Sequence, residues 1–280
     1  MKRHFVALIG LLTATSATAF AQDIPLAPAV KDSGTLTIAN SLSYPPFEYT
    51  DENGKASGLD IDLAQAVADL LKVKLQIENV PFGNQIPGLA SARFQVAWAS
   101  FSVTKERLAQ VDFVTFMSAG TVAVAKPENK DKFSQRTALC GATVAVQGGS
   151  AADFSADQLS KECVAAGSPA LDKQIYPEHD PVVQAVLTGR AQAYLDDSTS
   201  AGYFETTTKG QLVISGESFY PTPLGVAVAK GDKAAADMMH AALTALMKNG
   251  TYESVLKKYN MQTSAATEST VYTDPAQVSH

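Results

Sequence analysis

An eight-residue pattern occurs twice in this chain. Leu89-Ala90-Ser91-Ala92-Arg93-Phe94-Gln95-Val96 is answered by Val186-Leu187-Thr188-Gly189-Arg190-Ala191-Gln192-Ala193. Each copy reads as a helix end, an Arg-x-Gln turn and a strand start, and each lies in a longer run where strand and helix signals alternate. In the first run Leu36–Ala39 is a short apolar strand, and Phe47–Asp60 a hairpin around the turn pair Asn53-Gly54. Ile61, Ala64, Val67, Ala68 and Leu71 then repeat at helical spacing, with Asp60 placed to cap the helix start. Lys74–Val80 is a strand, Ile86–Ala92 a short helix and Val96–Ser100 a strand. In the second run Thr143–Val146, Gln174–Tyr176 and Ala191–Leu195 are strands, with helices over Val182–Thr188 and Ser198–Thr207. This order predicts two lobes, each with an open, mostly parallel sheet. A chance match between the two short segments is the alternative.

Gly120–Ala125 and Thr222–Ala229 are β-rich apolar stretches on either side of the second run, placed to cross between lobes. Helices follow over Ala235–Lys248, stopped by Asn249-Gly250, and from Thr251, placed as a cap, through Tyr259. The expected organisation is a signal peptide over 1–21, a leader over 22–33, lobe I over 34–120 with 224–262, lobe II over 121–223, and a flexible tail over 263–280. The signal reading rests on basic Lys2-Arg3-His4, the apolar run Phe5–Leu12, far short of the ~20 residues of a membrane span, and the small-x-small pattern Ala19-Phe20-Ala21. A net charge of −6 argues against a nucleic-acid partner.

Export makes a disulfide between Cys140 and Cys163 the expected state, closing a loop in lobe II and adding about 3 kcal/mol in the chain-entropy treatment. Two buried thiols are the alternative. No metal is expected, because His179 and His240 show no ligand spacing to these cysteines.

Open α/β sheets bind ligands past the carboxyl ends of their strands. Ser100, Ser102, Thr104 and Arg107 follow one strand, combining hydroxyls, a helix start and a bidentate guanidinium suited to a carboxylate. Read alone, this segment is more simply an N-capped helix with a solvated Arg than a carboxylate receptor. Gln147-Gly148-Gly149-Ser150 follows another strand as a small-residue loop opening a helix, and lacks the Gly-Lys-Ser/Thr of a phosphate loop. Asp196 and Asp197 follow a third, where an acid suits an ammonium or caps the next helix. Ser41, Tyr44 and Phe47 follow the first strand; Tyr44 is a candidate cleft wall and Phe47 a core residue. A guanidinium and an acid on opposite lobes would match the two charged ends of an α-amino acid, which must both be paired when buried.

Gly34-Thr35-Leu36, Tyr44-Pro45-Pro46-Phe47-Glu48, Gly58-Leu59-Asp60-Ile61-Asp62-Leu63-Ala64, Ile86-Pro87-Gly88-Leu89, Ser102–Arg107 with Val111-Asp112-Phe113, Val144–Gln147, Gly189-Arg190 and Asp197 occur in order over residues 34–260. In these the chain resembles the amino-acid-binding family of periplasmic solute-binding proteins of ABC importers. The resemblance implies an α/β, two-lobed periplasmic-binding-protein fold, each lobe an open, mostly parallel sheet, joined by two crossover strands. It implies that Arg107 grips the ligand carboxylate, helped by Ser102 and the backbone near Ser150. Asp197 would take the ammonium with Ser100 and a carbonyl near Ala99. Tyr44 and Phe82 would flank the side chain, with Ser41, Gln147 and Asp196 tuning specificity. Gln95 and Gln192 stand where the family usually has Asp. Ser41 stands where binders of cationic amino acids often carry an acid, so a neutral or polar ligand side chain is expected, with Asp196 as the acid that could substitute for a cationic one.

The implied protein is an exported monomer with no cofactor, whose partners are a free amino acid and a membrane permease. Two alternatives stand beside it. One is a periplasmic enzyme like cyclohexadienyl dehydratase, with Asp196 or Glu178 as its general acid; the other is an amino-acid receptor docking on a chemotaxis or sensor protein.

Overall fold

The computed structural model of the protein describes residues 24–278, so the signal peptide expected over residues 1–21 lies outside the described residues. The first unit comprises α1 (Pro28–Ser33), β1 (Thr35–Asn40), β2 (Ser43–Tyr44), β3 (Glu48–Thr50), β4 (Ala56–Ser57), α2 (Leu59–Leu71), β5 (Lys74–Asn79), α3 (Phe82–Leu89), β6 (Val96–Ser102) and α4 (Lys105–Leu108). The long strand β7 (Val111–Ala125) leads to the second unit: β8 (Thr143–Gln147), α5 (Ala151–Ala165), β9 (Asp172–Tyr176), α6 (His179–Leu187), β10 (Ala193–Asp197) and α7 (Ser198–Thr207). A second long strand, β11 (Val213–Ala229), returns to α8 (Lys233–Lys248), α9 (Thr251–Lys258) and β12 (Val271–Tyr272).

The main sheet runs β5-β1-β6-β11-β7-β10-β8-β9, with β12 added on β7. Its outer strands are parallel: β1 with β5 and β6, and β8 with β9 and β10. The two long strands are antiparallel to each other and to the strands beside them. They are the expected crossovers, longer than the sequence suggested because each also serves as a sheet strand in both units. β2, β3 and β4 form a small antiparallel sheet that includes the hairpin read around Asn53-Gly54.

The core separates along the same line. One pair of apolar clusters draws its fully buried members from residues up to 119 and from 224 onward, around Trp98, Phe116, Phe101 and Phe113. The other pair lies wholly within 122–219, around Tyr194, Phe133, Leu159 and Val186. Each large side chain so buried contributes roughly 1.5–3 kcal/mol. This partition supports the proposed division into lobe I (34–120 with 224–262) and lobe II (121–223). Between the cores the β7–β11 register breaks twice, between Ser215 and Phe219 and between Phe219 and Thr222.

Gln95 and Gln192, the matched residues of the repeated segment, have equivalent structural roles. Gln95 Oε1 accepts from the Thr37 amide at 2.8 Å, and Gln192 Oε1 accepts from the Thr143 amide at 3.2 Å. Each ties the start of its strand to the parallel neighbour, so the repeated segment is repeated in function. Cys140 and Cys163 form the expected disulfide.

Four local expectations are corrected. Asp60 does not cap α2: Gly58 is the N-cap residue, and Asp60 turns into the protein with no solvent exposure. Gly58 has φ 125° and approaches the Phe47 carbonyl so closely that a Cβ would lie 2.2 Å from it; only glycine fits this turn. The third helix is Phe82–Leu89 rather than 86–92, starting where Pro81 fixes the entering backbone. Thr251 is the first residue of α9, and Gly250 is its N-cap. Residues 263–278, expected as a flexible tail, lie along lobe I. There Val271 and Tyr272 pair with Val114 and Phe113, and Tyr252 Oη receives the Ala266 amide. The leader likewise holds α1, with Val30 buried. Both segments lack a periodic pattern because each buries only a few side chains.

Candidate ligand-binding site

The carboxyl ends of β6, β8 and β10, with the loop after β1 and the starts of α3, α5 and α6, face one another across a narrow cavity of about 40 Å³. All ten residues expected there line it: Ser41 and Tyr44 after β1, Phe82 opening α3, Ser100 and Ser102 on β6, Arg107 on α4, Gln147 ending β8, Ser150 before α5, and Asp196 and Asp197 ending β10. Helix termini and strand ends meet here because their backbone groups have no partner within their own element.

Arg107 forms one end. Thr104 caps α4 by accepting from the Arg107 amide, so the capped-helix reading of this segment holds. Its Arg is not solvated, however: the side chain is 4% exposed. The guanidinium donates to the Ser102 carbonyl at 2.8 Å and, across the cleft, to the Gly149 carbonyl at 2.5 Å. The rings of Phe82, Phe101 and Phe154 lie 5.6, 5.1 and 5.7 Å from its central carbon. Burial lowers its pKa to about 10, against the pull of Glu106, so it stays charged at neutral pH. Among the described residues no carboxylate pairs with it. Opposite, Ser150 caps α5 by accepting from the Asp153 amide at 3.1 Å, which leaves the first turn of a 15-residue helix at the cavity wall. Backbone amides and positive dipole there favour an anion.

Asp197 and Asp196 form the other end. Asp197 caps a helix with one oxygen and turns the other towards the facing unit. Its Oδ1 accepts from the Thr199 and Ser200 amides at 3.0 and 2.9 Å and caps α7, while its Oδ2 meets the Tyr44 hydroxyl from lobe I. Asp196 accepts from Tyr44 Oη at 2.6 Å through Oδ1, and its Oδ2 lies 2.8 Å from His179 Nε2. Burial, then the charge of Asp196, raises the Asp197 pKa to about 6. Burial and both aspartates push the Tyr44 hydroxyl well above its ordinary range. Tyr44 is therefore more than an apolar wall: its ring stacks on Phe47 at 5.4 Å and its hydroxyl reaches the acids of the opposite lobe.

Behind this end Ser100 sits in the left-handed region at φ 41°, a strained conformation of the kind that clusters at functional sites. Its hydroxyl donates to Asp60 at 2.9 Å, which leaves its lone pairs to accept from a ligand. Asp60 and Glu48 are fully buried. Burial raises Asp60 to about 7, and burial followed by Asp60 raises Glu48 well above the carboxylate range. Among the described residues no other group donates to either Glu48 oxygen, and the raised pKa values of both carboxyls favour a proton held between them.

The sequence reading passed over His179, Phe101 and Leu195, which also line the cavity. His179 follows the carboxyl end of β9, where the rule that found the other residues also applies. Glu178, the alternative general acid, is not in the cavity wall; it accepts from Ser43 Oγ at 3.1 Å between the lobes.

The chain is similar to known proteins over most of its length. The arginine-binding protein ArgT of Corynebacterium glutamicum is 24% identical over 251 residues, covering 88% of this chain and 81% of its own length. The L-cystine-binding protein TcyJ of Escherichia coli is 26% identical over 255 residues, covering 91% and 92%. Among solved structures, an ancestral amino acid-binding protein described as a precursor of cyclohexadienyl dehydratase superposes with a TM-score of 0.75 at 30% identity, covering 82% of this chain and 97% of its own. Residues 36–262 match a whole family, and by that match the chain belongs to the bacterial extracellular solute-binding proteins of family 3.

Proposed function

We propose that this chain is the periplasmic substrate-binding component of an amino-acid ABC importer, acting as a monomer that closes on one free α-amino acid with a neutral or polar side chain. The observation that carries the reading is the separation of charge across the cleft. A buried guanidinium whose shown side-chain bonds go only to carbonyls faces a buried carboxylate across a cavity. A ligand carboxylate on Arg107, with the Ser102 hydroxyl and the first turn of α5, and an ammonium on Asp197, with Ser100, would pair both charges. Contact with both lobes makes the closed state the one the ligand prefers. Phe82 and Tyr44 flank the side chain, and Ser41, Gln147 and Asp196 border it. The importer's membrane permease is the partner that receives the loaded, closed form.

A thermal-shift screen of the twenty amino acids tests this. A ligand at 100 times its dissociation constant adds about 2.7 kcal/mol, a clear rise in melting temperature. A screen in which no amino acid shifts the transition overturns the reading. The resemblance to a dehydratase precursor favours one second reading, a dehydratase in which Asp197, raised to about 6, would be a better-placed acid than Glu178. Product formation from prephenate or arogenate would establish it.

A further inference from the structure

Of the two adjacent acids at the end of β10, both take hydrogen bonds from within the protein, but Asp196 alone has a histidine against it among the described residues. Asp196 is 5% exposed, and both its oxygens are occupied from within the protein. Oδ1 takes the Tyr44 hydroxyl and the Asp197 amide, at 2.6 and 2.9 Å, and Oδ2 takes His179 Nε2 at 2.8 Å. His179 is 2% exposed and closed in by rings, with Tyr44 4.9 Å, Phe204 5.0 Å and Tyr194 6.1 Å from it between centroids. The charged groups around it are acids: Asp196 and Asp197 from β10, and Asp180 from its own helix. Burial opposes a charge on the ring, but these acids, Asp196 foremost, outweigh it and raise the pKa of His179.

We propose that His179 is a specificity-determining residue: by holding Asp196 it removes that carboxylate as a partner for a cationic side chain and reserves the cleft for amino acids whose side chains are uncharged. The inference rests on the amino-acid reading above and names the ligand class. With His179 paired to Asp196, the cleft offers one cation, Arg107, and one acid with no basic partner among the described residues, Asp197, which match the two charges of a zwitterion. A dibasic amino acid would bring a second cation with no free counter-charge, and an unpaired buried charge is strongly disfavoured. Without the histidine, Asp196 becomes the free anion that a guanidinium or ammonium side chain needs.

Calorimetric titration of the mature chain with arginine, lysine and the neutral amino acids tests this, in the wild type, His179→Gln, Asp196→Asn and the double variant. The wild type should prefer a neutral amino acid. His179→Gln should move the ratio of arginine to neutral affinity towards arginine by about tenfold or more, the scale of one charged hydrogen bond. The double variant should return the ratio to the wild-type value, a coupling that a merely structural loss would not produce. Asp196→Asn alone should leave arginine no weaker relative to the neutral ligand, and this arm stands even if His179→Gln fails to fold. The inference is overturned if wild type prefers arginine or lysine, if His179→Gln leaves the ratio unchanged, or if Asp196→Asn selectively weakens arginine. Absence of all amino-acid binding would instead defeat the underlying reading and the inference with it.

Discussion

At one end of the cleft Arg107 lies among three aromatic rings and, among the described residues, its guanidinium donates to two carbonyls. At the other, Asp197 spends one oxygen on capping α7 and shares the other with Tyr44, beside Asp196 and in front of the Glu48–Asp60 pair. Both ends bury charge, but they can relieve it differently. With its pKa near 10, Arg107 cannot shed its proton at neutral pH, so an external anion is its only full partner. The acids can take up protons, and with Asp197 near 6 and Asp60 near 7 they sit close to doing so. One end is a fixed charge and the other an adjustable one.

The contrast is broken most directly at its fixed end. Arg107→Ala should weaken amino-acid binding at least about 30-fold, since truncating one partner of a buried charged pair typically costs about 2–5 kcal/mol. Retention of native affinity in calorimetry would remove Arg107 from the site. Asp197→Asn should weaken binding by about 30- to 100-fold while the melting temperature barely moves, because Asn caps a helix as well as Asp. A large loss of stability would mean that the cap is the residue's main role.

The adjustable end should carry the pH dependence. An ammonium beside Asp197 favours its charged form and lowers its pKa below the value near 6 of the free protein. Affinity is therefore full above pH 6 and falls as pH drops through it, by up to about tenfold per unit. Titrations across this range check it, and Asp197→Asn should flatten the profile. Behind the cleft, Asp60 is raised from 3.8 to about 7, so the folded state binds more protons than the unfolded chain between those values. Stability should fall as pH rises from 4 to 7. Asp60→Asn, whose amide can donate to Glu48 at any pH, should flatten that slope and exceed the wild type at pH 8 by about 1 kcal/mol or more. Urea unfolding at both pH values measures this.

Much of this contrast is readable in the chain itself. Arg107 and Asp197 were found because each follows a strand whose carboxyl end a parallel sheet must expose, and because their motifs resemble a family. What escaped were residues with two possible local roles. Asp60 stands where a helix cap would stand, and only the three-dimensional approach of Gly58 to Phe47 turns it inward. His179 has no signal in spacing, since its partner Asp196 lies 17 residues away on another strand. Tyr44 reads as a ring, but its hydroxyl matters because another lobe closes on it. The packed residues 263–278 show the same limit: short backbone pairing and scattered hydroxyl and carbonyl contacts hold them, and none of these leaves a pattern.

The central claim is that a single solute neutralises both ends at once. Calorimetry of the best-binding amino acid against its decarboxylated amine and its deaminated acid tests it directly. Each analogue leaves one end unpaired, and each should bind at least about 100-fold more weakly than the parent. An analogue lacking either group that binds as tightly as the amino acid would contradict the account.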